Sequence, residues 1–162
     1  MPSDKIENTL ISGGSTKQGA WGQLILDHIL KERLQLTQGE EYEIQKRFKV
    51  EEGYLIPDAI VHFPDGRDVI IDAKVSLIDW DEYVNATDPL TKENALKDHR
   101  KAIKNHIDSL AEKKYQNIKD LNSLDTVIMF CPNEPSINSL GEVSRKMMDY
   151  AISKKITLVG PS

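Results

Sequence analysis

The apolar residues of this chain change their spacing several times, from three- and four-residue steps to two-residue steps and back. This alternation restricts the fold to a mixed α/β domain. Residues 18–36 have helical spacing, and Gln38-Gly39 supplies a stop; residues 41–50 alternate between apolar and charged positions, which is typical of a half-buried strand. The remaining predictions are strands at 54–63, 68–75, 125–131 and 155–160, and helices at 91–119 and 136–153.

The order of these elements predicts how the sheet is built. Strands 41–50, 54–63 and 68–75 are joined by short turns, so they form an antiparallel meander. The long helix then provides a crossover to the apolar strand 125–131, which gives a mixed β-sheet flanked by helices. Pairing across the Pro64 to Arg67 turn places Asp58 near position 73, and Pro57 marks a local irregularity.

Length and composition predict one domain. The chain has 162 residues, of which 39% are hydrophobic, and a net charge of -5, which suits a single soluble core. Residues 1–16 are predicted to be a flexible lead-in and residues 17–162 the domain. We expect no membrane segment, because no apolar run approaches about 20 residues. The single cysteine, Cys131, cannot form an intramolecular disulfide, which favours a reduced compartment and a cytoplasmic location.

Charge is unevenly distributed along the chain. Residues 91–119 contain eight basic and four acidic side chains, a local charge of +4, which leaves the rest at -9. A basic helix on an acidic body is compatible with a phosphate-binding face, since steering depends on the local field. A solvated helix face that serves only solubility is the alternative.

Three charged residues occupy strands that should be hydrophobic. Asp72 and Lys74 are two residues apart in DVIIDAKV, so their side-chain bases share one face about 6 to 7 Å apart. Asp58 interrupts the neighbouring strand directly after Pro57. Unpaired charges in such surroundings are costly, so we expect these side chains to have partners.

Two carboxylates and an amine at one strand end are suited to metal-assisted hydrolysis. Carboxylate oxygens suit a hard cation such as Mg²⁺, which polarises a phosphoryl oxygen and lowers the pKa of a bound water. The ammonium group orients the water or offsets developing charge. Alternatively, Asp72 and Lys74 are an ordinary pair at an exposed edge, and Asp58 caps a bulge.

Pro57-Asp58 in one strand and Asp72-Ala73-Lys74 in the next, within an αβββαβ order, resemble the PD-(D/E)xK nuclease superfamily. A longer resemblance, from residue 18 to 161, is to the RmuC family of DNA recombination proteins. It is carried by QGAWGQ (18–23), YEIQ (42–45), IPDAIVHFPDGRDVIIDAKVSL (56–77), HRKAIKNHIDSLAEKKY (99–115) and VIMFCPNEPSI (127–137).

This resemblance implies a restriction-endonuclease-like core and a metal-dependent nuclease that acts on DNA in recombination or rearrangement. It also implies that Asp58 and Asp72 bind Mg²⁺ or Mn²⁺ with the Ala73 carbonyl, and that Lys74 positions the attacking water. Where the family has Trp-Gly-Glu, this chain has Gln23, which adds no charge. The family usually carries an N-terminal membrane anchor or coiled coil, so this chain is expected to be a shortened domain.

Further candidates lie outside the two carboxylate strands. Gln45 is on the charged face of its strand and could reach the site. On the basic helix, His99, Lys101, Lys104 and His106 are predicted phosphate contacts, with a plain surface helix as the alternative. Two other functions stay open: a catalytically weak or inactive DNA-binding or scaffold module, which Gln23 suggests, and a protein-binding domain.

Overall fold

The structure is a computed structural model that describes residues 15–73, 84–131 and 142–160, without the side chains of 15–19, 116 and 142–144. Helix α1 is Ser15–His28 and continues as a π-helical turn, Ile29–Arg33. The other elements are β1 (Tyr42–Ile44), β2 (Phe48–Val50), β3 (Gly53–Leu55), β4 (Ala59–His62), β5 (Asp68–Ala73), α2 (Pro89–Glu112), a 3-10 turn (Tyr115–Asn117), β6 (Ser123–Phe130), α3 (Glu142–Ser153) and β7 (Ile156–Val159).

Five strands form one mixed sheet in the order β1-β4-β5-β6-β7. The pairs β1/β4 and β4/β5 are antiparallel, whereas β5/β6 and β6/β7 are parallel. Helix α2 connects the parallel strands β5 and β6, which confirms the predicted crossover. Strand β5 therefore lies at the centre of the sheet, and all six of its residues are buried.

The sheet separates two hydrophobic clusters because alternate residues of a strand point to opposite faces. One cluster joins α1 to the sheet, and Tyr42 Oη adds a hydrogen bond of 3.0 Å to Asp27 Oδ1. It contains Leu26, Leu30, Tyr42, Ala59, Val69, Ile71, Ala73 and Phe130. The other cluster joins α2 and α3 to the opposite face. It includes Ile60, Ile70, Ile103, Ile107, Leu110, Tyr115, Val127, Met129, Ala151 and Ile156.

The predicted continuous strands at 41–50 and 54–63 are wrong, because each is split. Gln45 has φ 50°, and extended pairing cannot continue through a left-handed residue. Pro57, which cannot donate to a ladder, separates β3 from β4. Strands β2 and β3 pair only with each other, so a hairpin is inserted between two strands of the predicted meander.

The long helix begins and ends earlier than the predicted 91–119. It begins at Pro89, where the Asp88 carboxylate accepts a 2.9 Å hydrogen bond from Thr91 N, a typical N-cap. It ends at Glu112, and Lys114 has φ 52°, which turns the chain out of the helix. The predicted helix at 136–153 is described only from Glu142, and its start lies outside the described residues, as do residues 1–14.

Cys131 directly follows β6 and is buried, as expected of a small interior residue. Burial raises the pKa of its thiol to about 12. At neutral pH the group is therefore a protonated thiol inside the core and a poor nucleophile.

Candidate functional site

Asp72 occupies a buried position on the central strand. Only 2% of the residue is exposed, although its neighbours in β5 are apolar. Strand alternation puts Asp72 on the same face as Ile70, whose side chain belongs to the cluster under α2. The carboxylate therefore lies inside the layer between sheet and helix, near the end of β5.

Asp58 lies beside Asp72 at the same end of the sheet. Strand β4 pairs Ala59 with Ile71, so the register continued by one residue places Asp58 opposite Asp72. The sequence predicted position 73, one residue away. Backbone contact confirms the proximity, because Ala73 N donates a 2.7 Å hydrogen bond to Asp58 Oδ2.

Gln23, on helix α1, makes a second hydrogen bond to the Asp58 carboxylate. Its Nε2 donates a 2.8 Å hydrogen bond to Asp58 Oδ1, which links α1 to the carboxylate across 35 residues of sequence. Each oxygen of Asp58 thus accepts one hydrogen bond and keeps another lone-pair direction. The two bonds orient the carboxylate at the end of the sheet.

Gln45 also reaches Asp58, though through the backbone. Gln45 N donates a 3.1 Å hydrogen bond to the Asp58 carbonyl oxygen, and the Gln45 side chain is exposed. This contact connects the end of β1 to the start of β4. Gln45 therefore lies at the border of the site.

Tyr115, which the sequence predicted only as part of the long helix at 91–119, is buried in the cluster under α2, on the face of the sheet that carries Asp72. The pKa of its hydroxyl is raised by burial, then by the negative charge of Asp72 and then by that of Asp58. Both carboxylate effects have the sign expected when negative charge opposes ionisation of a buried phenol. The Lys113 ammonium group donates a 3.5 Å hydrogen bond to the same oxygen. In the sequence, the one indication of Tyr115 was that an aromatic residue with a hydroxyl group ends the apolar pattern of the long helix.

The oxygen chemistry of the site fits a hard divalent cation. Asp58 and Asp72 offer carboxylate oxygens, and the Ala73 backbone lies against Asp58. In the part of the chain that the structure describes, no group of three or more His, Cys, Asp or Glu side chains is placed to hold a metal. A cation bound here would therefore need oxygens from backbone, water or substrate phosphate, which Mg²⁺ commonly uses. Lys74, the predicted water-positioning residue, lies outside the described residues.

The predicted DNA contacts on α2 divide into surface and interior positions. Lys101 and Lys104 are exposed and His106 is half-buried. His99 is only 1% exposed, because it falls on the same helical row as Ala95, Ile103 and Ile107. Its side chain therefore lies in the interior of the domain, under α2.

The sequence profile described as the RmuC family matches residues 4–162, nearly the whole chain. The chain belongs to the RmuC family. It is 37% identical over 153 residues to the DNA recombination protein RmuC of Escherichia coli (strain K12), covering 94% of this chain and 32% of that protein. It is 38% identical over 153 residues to the protein of the same name from Salmonella typhimurium (strain LT2), again covering 94% of this chain and 32% of the relative.

A Pseudomonas aeruginosa homologue, also named for DNA recombination, is 35% identical over 150 residues, covering 92% of this chain and 33% of the relative. The chain thus spans about a third of the length of the RmuC proteins it matches. Among the residues that the structure describes, no helix is both long and apolar enough to cross a bilayer.

Proposed function

We propose that this RmuC domain is a metal-dependent nuclease that hydrolyses phosphodiester bonds of DNA during recombination. The observation that carries the proposal is the convergence of Asp58 and Asp72 at one end of the central strands, with Asp58 held by Gln23 and by Ala73 N. The mixed sheet between helical layers supports a restriction-endonuclease-like core, with Pro57-Asp58 and Asp72-Ala73-Lys74 as its PD-(D/E)xK motif. The names of the relatives supply the link to DNA recombination.

In this proposal the two carboxylates and the Ala73 carbonyl hold Mg²⁺ or Mn²⁺. The bound cation would polarise a phosphoryl oxygen and lower the pKa of a coordinated water. Asp58 keeps its orientation because both of its oxygens are hydrogen-bonded. Lys74 orients the attacking water, and its ammonium group offsets the charge that develops on the phosphate.

The first test is a calorimetric Mn²⁺ titration of the wild-type domain beside Asp72→Asn. We expect saturable binding in the wild type and its loss in the variant, because an amide supplies no negative charge to the cation. Asp125→Asn is the matched control, since the Asp125 side chain is 84% exposed and pairs only with Lys155 among the described residues. Circular dichroism should show both variants folded.

The second test is the rate at which the wild type and the variants cleave DNA. Asp72→Asn and Lys74→Ala should each lower the rate more than about 100-fold, because even residues that merely support metal ligands cost 10- to 100-fold when removed. The control Asp125→Asn should cut at the wild-type rate. Full activity in Asp72→Asn or in Lys74→Ala would contradict the assignment.

A DNA-binding module that has lost turnover is the second candidate, and the Gln23 contact favours it. The Gln23 amide donates to Asp58 Oδ1, where a glutamate would instead add a negative charge. In a weakened enzyme, Gln23→Glu should tighten Mn²⁺ binding about tenfold and raise the cleavage rate, because a third carboxylate joins the site. Gln38→Glu, at an exposed position, carries the same change in charge as a control. No gain in either quantity would favour the inactive module.

A further inference from the structure

The β2-β3 hairpin is a small structure attached to the border of the candidate site. Its inward face is apolar: Phe48 is buried, and Val50 and Leu55 pack against the cluster under α2. The hairpin lies in sequence between Gln45 and Asp58, which are joined by the 3.1 Å backbone hydrogen bond. Both ends of the hairpin therefore start at the Asp58 end of the sheet.

The outward face of the hairpin is basic and aromatic. Lys49 pairs with Tyr54 across the two strands, and the Arg47 guanidinium carbon lies 3.9 Å from the centroid of the Tyr54 ring. The Tyr54 residue is 53% exposed, and Arg47 and Lys49 are both exposed. No carboxylate within the described residues forms an ion pair with either cation, unlike Lys46, which lies 3.3 Å from Glu43.

The basic side chains of the hairpin lie nearer to the candidate site than its acidic side chains do. Lys49 is on β2 and Arg47 directly precedes it, two residues from Gln45, so the Cα atoms of Arg47 and Gln45 are at most about 7 Å apart. The acidic residues Glu51 and Glu52 occupy the turn at the far tip. The part of the hairpin nearest Asp58 therefore presents positive charge beside an exposed aromatic ring.

We propose that this outward face binds a single-stranded segment of DNA next to the scissile bond. Arg47 and Lys49 contact phosphates, and the platform of Tyr54 and Arg47 stacks an unpaired base. Aromatic rings and guanidinium planes among basic residues are the usual surface for unpaired nucleotides, since bases within a duplex are already stacked. The inference rests on the proposed nuclease function and names its substrate class: DNA with a single-stranded portion.

Binding can be measured without cleavage, by fluorescence anisotropy of a labelled 30-nucleotide single strand and of its duplex in the presence of a chelator. Arg47→Ala/Lys49→Ala should reduce the slope of log affinity against log salt by about 1.4 for the single strand, or about 0.7 per lost phosphate contact. Tyr54→Ala should weaken single-strand binding about tenfold and duplex binding far less, and Tyr54→Phe should retain wild-type affinity because it keeps the ring.

The matched control is Arg67→Ala/Lys119→Ala, which removes two exposed cations from the end of the sheet away from Asp58. It should leave the salt slope within about 0.3 of wild type, in contrast to the hairpin variant. Circular dichroism and urea unfolding verify that each variant is folded. Loss confined to the hairpin variants supports the inference.

Results that contradict the hairpin assignment can be distinguished from results that contradict the nuclease proposal. Salt-dependent DNA binding by the wild type that is unchanged in the hairpin variants overturns the hairpin assignment and leaves the nuclease proposal standing. Absence of DNA binding by the wild type overturns the hairpin assignment, and the Mn²⁺ titration and cleavage assays then decide the nuclease proposal separately. Hairpin-dependent binding to phosphatidylserine vesicles without DNA binding would assign the face to a lipid surface instead.

Discussion

At the scale of single residues, His62 is held between two carboxylates at the end of the sheet opposite Asp58. Its Nδ1 lies 2.6 Å from Asp68 Oδ1, and its Nε2 lies 2.8 Å from Glu43 Oε2. Asp68 Oδ2 also accepts a 2.9 Å hydrogen bond from Asn122 N, which ties this group to the segment before β6. The three side chains therefore link β1, β4 and β5.

The charge of His62 makes the stability of this group depend on pH. Burial opposes the charged imidazolium, but the hydrogen bonds and negative charges of Asp68 and Glu43 outweigh it and raise the pKa of His62 above 6.5. Burial likewise opposes the charged form of Glu43, yet His62 and Lys46 lower its pKa below 4.5. The stabilisation by His62 is therefore complete below pH 6.5 and is lost as pH rises through the raised pKa.

Replacing His62 tests this directly. We expect His62→Gln to lower the free energy of unfolding by about 1.5 kcal/mol at pH 6, the usual contribution of a hydrogen bond to a charged group. The difference from wild type should shrink as pH rises to 9, because wild-type His62 then loses its proton. Urea unfolding at several pH values measures both effects. His28→Gln, at an exposed position on α1, is the control; a pH-independent difference for His62→Gln would refute the charge argument.

At the scale of elements, the end of α2 determines where Tyr115 lies. Lys113 closes the helix with helical dihedral angles, and Lys114 follows at φ 52° and ψ 49°. This left-handed residue redirects the chain into the 3-10 turn that begins at Tyr115. The left-handed conformation is energetically unfavourable for lysine, because its Cβ crowds the backbone. Glycine, which has no Cβ, is the common residue at such positions.

Lys114→Gly should therefore raise stability. We expect a gain of about 0.5 to 1 kcal/mol in the free energy of unfolding, since glycine relieves the left-handed strain at a position just past the helix end. Urea unfolding measures the change. Lys114→Ala removes the same charge and keeps Cβ, so it should give no gain; an equal gain in both variants would mean that charge and not backbone strain is responsible.

At the scale of the whole molecule, one sheet between two helical layers carries different groups at its two ends. Asp58 and Asp72 lie towards one end, and the His62 group lies at the other. The hairpin of β2 and β3 adds a basic and aromatic face to the Asp58 end. The RmuC relatives are about three times as long as this chain, so about two thirds of their length lies outside the part that matches α1, the sheet and its helices.

Most of the fold could be predicted from the periodicity of the apolar residues and from the expected directions of the strands. Apolar spacing located the helices, the buried strand and the mixed sheet, and a carboxylate in the apolar strand DVIIDAKV marked Asp72. Asp58 was found in the same way, and its distance from Asp72 was predicted to within one residue of register. These inferences succeed because side-chain direction along one element follows from local geometry alone.

Contacts between elements were decided only by the tertiary structure. Gln23 and Asp58 are 35 residues apart, and Tyr115 joins the cluster under α2 from beyond the end of that helix. Likewise, the burial of His99 depends on which helical row faces the sheet. The sequence by itself determined which residues are polar or apolar and the period at which they recur. The packing of α1 and α2 on opposite faces of the sheet decided which of these residues lie close together. Distances between residues of different elements depend on how whole elements pack, and the spacing within one element does not determine them.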